Sequence, residues 1–164
     1  LIDPSDLKQK ASGKRKENRK FLKSLNGRKS GDVDAAFRQT HEEVFACTDC
    51  LECANCCKTT GPLFTHKDVR VISKHLKMRP AQFTEKYLRT DEDGDQVLQQ
   101  VPCPFLGSDN YCGIYEVRPK ACREYPHTDR RNMQEILDLT LKNAAVCPAV
   151  FEILERMKAQ MGKR

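Results

Sequence analysis

Tryptophan is missing from this 164-residue chain, aromatic residues make up only 7% of it, and histidine is limited to His41, His66, His75 and His127. No apolar run approaches the ~18 residues that a membrane-spanning helix needs. The opening Leu1-Ile2-Asp3-Pro4 turns basic without the apolar stretch of an export signal, which sets the expectation of a soluble, cytoplasmic chain. Also missing are G-x-S-x-G, a P-loop, a dinucleotide-binding glycine fingerprint and H-E-x-x-H, so the familiar hydrolase, NTPase and dehydrogenase templates have no footing. The scattered histidines read as surface, and only His127 lies near a cysteine-rich segment.

Cysteine, in contrast, is abundant. Nine are present, and in a reducing compartment such a count favours metal-binding thiols over disulfides. The stretch Cys47-Thr48-Asp49-Cys50-Leu51-Glu52-Cys53-Ala54-Asn55-Cys56-Cys57 makes three C-x-x-C steps and ends in an adjacent pair. A C-x-x-C turn can bring two sulfurs onto one centre while its backbone N–H groups offset thiolate charge. Remote ligands are offered by Cys103, Cys112, Cys122 and Cys147, each next to a turn-forming glycine or proline or, for Cys122, three residues after Pro119. Four local and four distant cysteines make eight candidate metal ligands: Cys50, Cys53, Cys56, Cys57, Cys103, Cys112, Cys122 and Cys147. Cys47 is left over. Adjacent residues project in different directions, so Cys56 and Cys57 would feed two centres. All-sulfur coordination suits zinc, which is favoured, but it equally suits iron or an iron–sulfur cluster completed by a distant Cys-Pro such as Cys103-Pro104 or Cys147-Pro148. Arg118 and Arg123 flank Cys122 and are candidates to lend hydrogen bonds or positive charge to a thiolate-rich centre, with ordinary packing as the alternative.

Charge is concentrated at one end. Residues 8–29 hold ten Lys or Arg against the single acid Glu17, a local net of +9 within a chain whose formal total is +6. Lys14, Arg15, Lys16, Arg19, Lys20, Lys23, Arg28 and Lys29 are therefore candidates to contact a polyanion such as RNA or DNA. A solvated charged helix, an acidic protein or an anionic membrane would account for the same charge. Only Phe21 is aromatic in that segment, which argues against base stacking.

Periodicity predicts a mainly α fold: a small helical domain (32–164) stapled by an irregular, cysteine-rich metal-binding segment, with a basic N-terminal helix or arm (1–31). Helices are expected near 5–26, 33–46, 66–78 (capped by Thr65), 80–88 (opened by Pro80), 133–144 and 148–160 (opened by Pro148). Lys158, Lys163 and Arg164 suit the end of the last helix. A turn is expected at Asp91–Asp95, where the acidic cluster reads as solvated loop, and a single strand over 96–101. Residues 103–130 should be irregular.

The combination Cys50-x2-Cys53-x2-Cys56-Cys57, Cys103-Pro104-Phe105-Leu106, Tyr111-Cys112-Gly113-Ile114-Tyr115-Glu116-Val117-Arg118-Pro119 and Ala121-Cys122-Arg123-Glu124-Tyr125-Pro126 resembles the YkgJ-type cysteine-cluster family. The resemblance covers about 44–150 and implies a zinc- or iron-chelating domain. Cys47 and Ala54 depart from the usual cluster, which often carries glycine near the latter position. A related cluster resembles part of flagellin lysine methylases. The expected function is thus a thiolate metal-binding module, with a metal- or iron–sulfur-dependent enzyme component, in protein modification or electron transfer, as the alternative.

Overall fold

The computed structural model describes residues 1–162, so Lys163 and Arg164 lie outside the described residues. In chain order the helices are α1 (Pro4–Leu25), α2 (Ser30–Phe45), α3 (Cys50–Cys53), α4 (Asn55–Thr59), α5 (His66–His75), α6 (Pro80–Tyr87), α7 (Lys120–Glu124), α8 (Leu137–Asn143) and α9 (Pro148–Met161). Strands β1 (Leu88–Thr90) and β2 (Gln96–Leu98) lie between α6 and α7. These elements form two compact units, one made of Leu1–Asp49 with the chain from Pro126 onward, the other of Cys50–Tyr125. Among the described residues no helix is long and apolar enough to cross a membrane.

The first unit is helix packed on helix. Asp3 caps α1 by accepting the Ser5 N–H at 2.8 Å, and Pro4 occupies the first turn, where its missing N–H costs nothing. Leu7, Ala11, Asn18, Phe21, Leu22 and Leu25 recur at helical spacing and are buried. Phe21, Leu22 and Leu25 pack with Val33, Phe37 and Val44 of α2, Leu137 of α8, and Val150, Ile153, Leu154 and Met157 of α9. Of the expected basic helix or arm, a helix forms: α1 is sparse in apolar residues, but those it has share one buried stripe, while most of its cations stay exposed. The predicted helix over 133–144 is divided into a 3-10 turn at Met133–Ile136 and α8. That turn is fixed by the Asp34 carboxylate, which accepts from the Asn132 and Met133 N–H groups at 2.8 and 2.9 Å.

The second unit is built around a smaller core of Phe64, Val69, Ile72, Phe83, Leu88, Leu98 and Ile114, with Tyr87 and Phe105 packed on it. The Tyr87 and Phe105 rings approach to 4.9 Å between centroids at a tilt of 49°, a favourable aromatic geometry. Helix α5 starts with a capping box in which Thr65 and Asp68 exchange hydrogen bonds. The predicted strand pairs with one the sequence did not reveal, β1, antiparallel with Leu88 opposite Leu98. Their connection turns at Gly94, whose φ of 85° favours glycine, while Asp91 Oδ1 accepts the Asp93 and Asp95 N–H groups. The acidic cluster is thus a turn.

Candidate metal centre

The cysteine run folds as two short helical pieces, α3 and α4, broken at Ala54. This residue is left-handed, with φ 46°, and only 3% exposed. Its N–H donates to the Cys50 carbonyl at 2.9 Å and its carbonyl accepts from Lys58, so the reversal is tied on both sides. The reversal separates Cys50 and Cys53 from Cys56 and Cys57. A left-handed L-residue costs roughly 1–2 kcal/mol, and burying one methyl returns about 0.8 kcal/mol. Ala54→Gly should therefore change stability by less than about 1 kcal/mol, whereas Ala54→Val, β-branched in the same conformation, should cost about 2 kcal/mol or more. Thermal denaturation of the two variants beside the wild type checks this.

Residues 103–125 present three further thiols. Cys103 is attached to the cluster through its N–H, which donates to the Cys57 carbonyl at 2.8 Å. The chain then doubles back in a loop in which Leu106 bridges Cys112 and the Gly107 N–H reaches the Tyr111 carbonyl at 2.7 Å. At Gly107 a Cβ would lie 2.5 Å from Asp109 Oδ1 and 3.3 Å from the Tyr111 carbonyl, so a larger residue would displace the Asp109 side chain. Asn110 Nδ2 donates to the Glu52 carbonyl at 3.0 Å and fastens this loop to α3. Cys103 and Cys112 pack against the apolar core of the unit, which half-buries them. Cys122 is carried by α7.

Electrostatics shows that these thiols share one neighbourhood. Burial first, then the charges of Cys57 and Cys112, push the Cys103 thiol up to about 11, against N–H groups of Phe105 and Leu106 that favour the thiolate. Burial, then Cys57, Cys103 and Cys112, push Cys122 up to about 12. Cys112 is raised by burial and by Cys57, opposed by the Ile114 N–H and the Arg118 guanidinium. Each pairing among Cys57, Cys103, Cys112 and Cys122 thus carries a repulsion that raises one of its two members. Cys57 itself is held down at about 7, mainly by its hydrogen bond with Cys56, whose Sγ lies 4.0 Å away. Among the described residues no three His, Cys, Asp or Glu side chains close into a ready coordination sphere. The donor set nevertheless fits a soft divalent metal: half-buried sulfurs, costly to ionise alone, with backbone N–H groups directed at Cys103 and Cys112.

Of the other candidates, Cys53 and Cys56 are half-buried and Cys50 is exposed within the same short stretch. Cys147 stands in the first unit, at the start of α9, where it packs against that unit's apolar core. Cys47 is exposed at the end of α2, with its Sγ 3.4 Å from the Val44 carbonyl. All nine are thiols rather than disulfides. Arg118 stacks on the Tyr115 ring, 3.8 Å from its centroid, and its charge favours the ionised forms of Cys112 and Cys122. Arg123 turns instead to Asp68, at 4.0 Å, and to the Arg118 carbonyl. His41 meets Thr128 Oγ1 at 2.8 Å in the first unit.

Asp68 is a residue that sequence reasoning passed over. Its Oδ2 accepts the Thr65 N–H and hydroxyl at 2.9 and 2.6 Å, and its Oδ1 accepts the Lys120 N–H at 3.0 Å. One buried carboxylate therefore ties the start of α5 to the start of α7, which bears Cys122. The Thr65-x-x-Asp68 capping box was the legible half of that signal.

The basic candidates divide in the same way. Lys14 pairs with Glu17 and Glu155, and Arg28 donates to the Met161 carbonyl. Arg15, Lys16, Arg19, Lys20, Lys23 and Lys29 are exposed.

A family model, described as "CxxCxxCC: Putative zinc- or iron-chelating domain", matches residues 49–148. No curated protein and no solved structure matches the chain.

Proposed function

The chain belongs to the CxxCxxCC family, and from that premise we propose that it is a thiolate metal-binding module in which Cys57, Cys103, Cys112 and Cys122 together hold one metal ion. The observation that carries this reading is that Cys103, Cys112 and Cys122 lie half-buried and near enough to Cys57 for its charge to raise all three. Four sulfurs are the full complement of a tetrahedral site, which makes the ion structural and leaves no position open for substrate. Zinc suits such a set best; an iron–sulfur cluster uses the same donors and is distinguished by thiolate-to-iron absorption in the visible. The metal neutralises the sulfurs that burial keeps protonated. Arg118 offsets their remaining negative charge, and Asp68 holds α7 so that Cys122 faces inward.

Metal content of protein purified under anaerobic conditions tests the assignment. Cys122→Ser and Cys103→Ser should each remove about one equivalent, while Cys47→Ser should remove none. Retention of full metal in Cys122→Ser would overturn the ligand set. A metal-to-protein ratio of two requires a second centre that draws on cysteines outside it.

The same module presents residues 8–29 as a polyanion-binding surface, with RNA or DNA as the fitting class. The exposed cations of α1 support this reading.

A further inference from the structure

From the geometry of α1 we infer that its exposed face grips the phosphates of duplex DNA, an inference that rests on the polyanion reading above and names its partner. The apolar stripe of α1 is buried, which fixes the side it turns outward. At about 100° per residue that side carries two rows of cations, Lys8, Arg15 and Arg19 in one and Lys16, Lys20 and Lys23 in the other, diverging by roughly 90° about Ser12. All six are exposed, and among the described residues none has an ion-pair partner. The acids of the helix lie elsewhere on its girth and are occupied: Asp6 pairs with Lys10, and Glu17 with Lys14 and Lys158. The helix therefore spends its carboxylates on its flank and leaves a face of one sign.

The dimensions select the partner. Lys8 to Lys23 spans roughly 22 Å of helix, a length over which each strand of B-form DNA presents about six phosphates. An α-helix fits the major groove of B-DNA, about 12 Å wide, where two divergent cation rows meet the two phosphate walls. The deep, narrow major groove of duplex RNA does not admit one. Single strands are held by stacking on aromatic side chains, and the face has none, Phe21 being turned inward. An anionic membrane would need apolar side chains beside the cations to enter the interface, and these are buried. With no base-reading constellation beyond the arginines, the grip is on the backbone and is insensitive to sequence.

The test uses the full, metal-loaded chain, mixed-sequence duplex DNA, duplex RNA, single-stranded DNA, heparin and phosphatidylserine vesicles, each titrated at several salt concentrations. Duplex DNA should bind tightest, with affinity falling on the order of a thousandfold between about 50 and 200 mM salt for some six contacts. Arg15→Gln/Lys16→Gln/Arg19→Gln should weaken binding by on the order of tenfold or more and lower the salt slope by about three, with circular dichroism and metal content unchanged. Lys67→Gln/Arg70→Gln/Lys74→Gln, an equal charge change on exposed positions of α5, should leave the slope where it was. An unchanged slope in the α1 variant overturns the inference. Equal or tighter binding of single strands, duplex RNA or vesicles overturns the choice of DNA while the polyanion reading stands. If none of the five probes binds, both fail.

Discussion

Complete removal of the metal should unfold residues 50–125 while the helices of the first unit keep their structure. The second unit has little else to hold it. Its strands are three residues each, three of its helices have five residues or fewer, and its core cluster holds seven buried apolar side chains. Helices this short do not stand without tertiary support, and the loop over 103–113 relies on a handful of backbone hydrogen bonds. Binding at a structural thiolate site contributes about 10 kcal/mol or more, comparable to the whole stability of a small domain. The first unit instead buries Phe37, Val150, Ile153, Leu154 and Met157 in its own core. A chelator titration followed by amide NMR should collapse the dispersion of residues 50–125 and spare α2 and α9. Unchanged melting after full demetallation would refute the staple. Rebinding should release protons, because Cys103 and Cys122 are pushed up to about 11 and 12 and must arrive as thiolates. Metal affinity should therefore rise with pH across the neutral range.

Elements with local causes were legible in the sequence. Thr65, Pro80 and Pro148 start helices within a residue of where caps and fixed φ angles put them, because those signals act over three or four residues. The short helices α3, α4 and α7 gave no periodic pattern, since four or five residues do not complete two turns. Strand β1 was hidden for another reason: Leu88-Arg89-Thr90 continues the run of α6, and only pairing with β2 makes it a strand. The burial of α1 could have been read from the spacing of Leu7, Ala11, Phe21, Leu22 and Leu25, but the density of charge obscured it. The cysteine motif was the most legible part of the site, yet which thiols share a neighbourhood depends on the fold of residues 103–125. Asp68 shows the same limit. Its partner Thr65 is three residues away, whereas the Lys120 N–H is 52 residues distant.

That long-range contact makes Asp68→Ala strongly destabilising for a polar substitution. The Thr65 hydroxyl still caps the residue-68 N–H, but the reciprocal half of the capping box is lost, at about 1 kcal/mol, and with it the hydrogen bonds from the Lys120 N–H and the Thr65 hydroxyl to a buried charge, worth about 1.5–3 kcal/mol together with the pairing to Arg123. The expected loss is about 3 kcal/mol, with weaker metal retention because α7 loses its anchor. Acid supplies a second readout. Burial pushes the Asp68 carboxyl up, but the Thr65 hydroxyl and N–H, the Lys120 N–H and Arg123 outweigh it, so its pKa lies below the ordinary 3.8. A carboxylate with a depressed folded-state pKa stabilises fully above its unfolded value, and that contribution is lost as the pH falls through the folded one. The stability difference between wild type and Asp68→Ala should therefore be constant near neutrality and narrow below about pH 4. Denaturant melts at pH 7 and at pH 3 measure it. A difference of the same size at both would show that the carboxylate charge is not what ties α5 to α7.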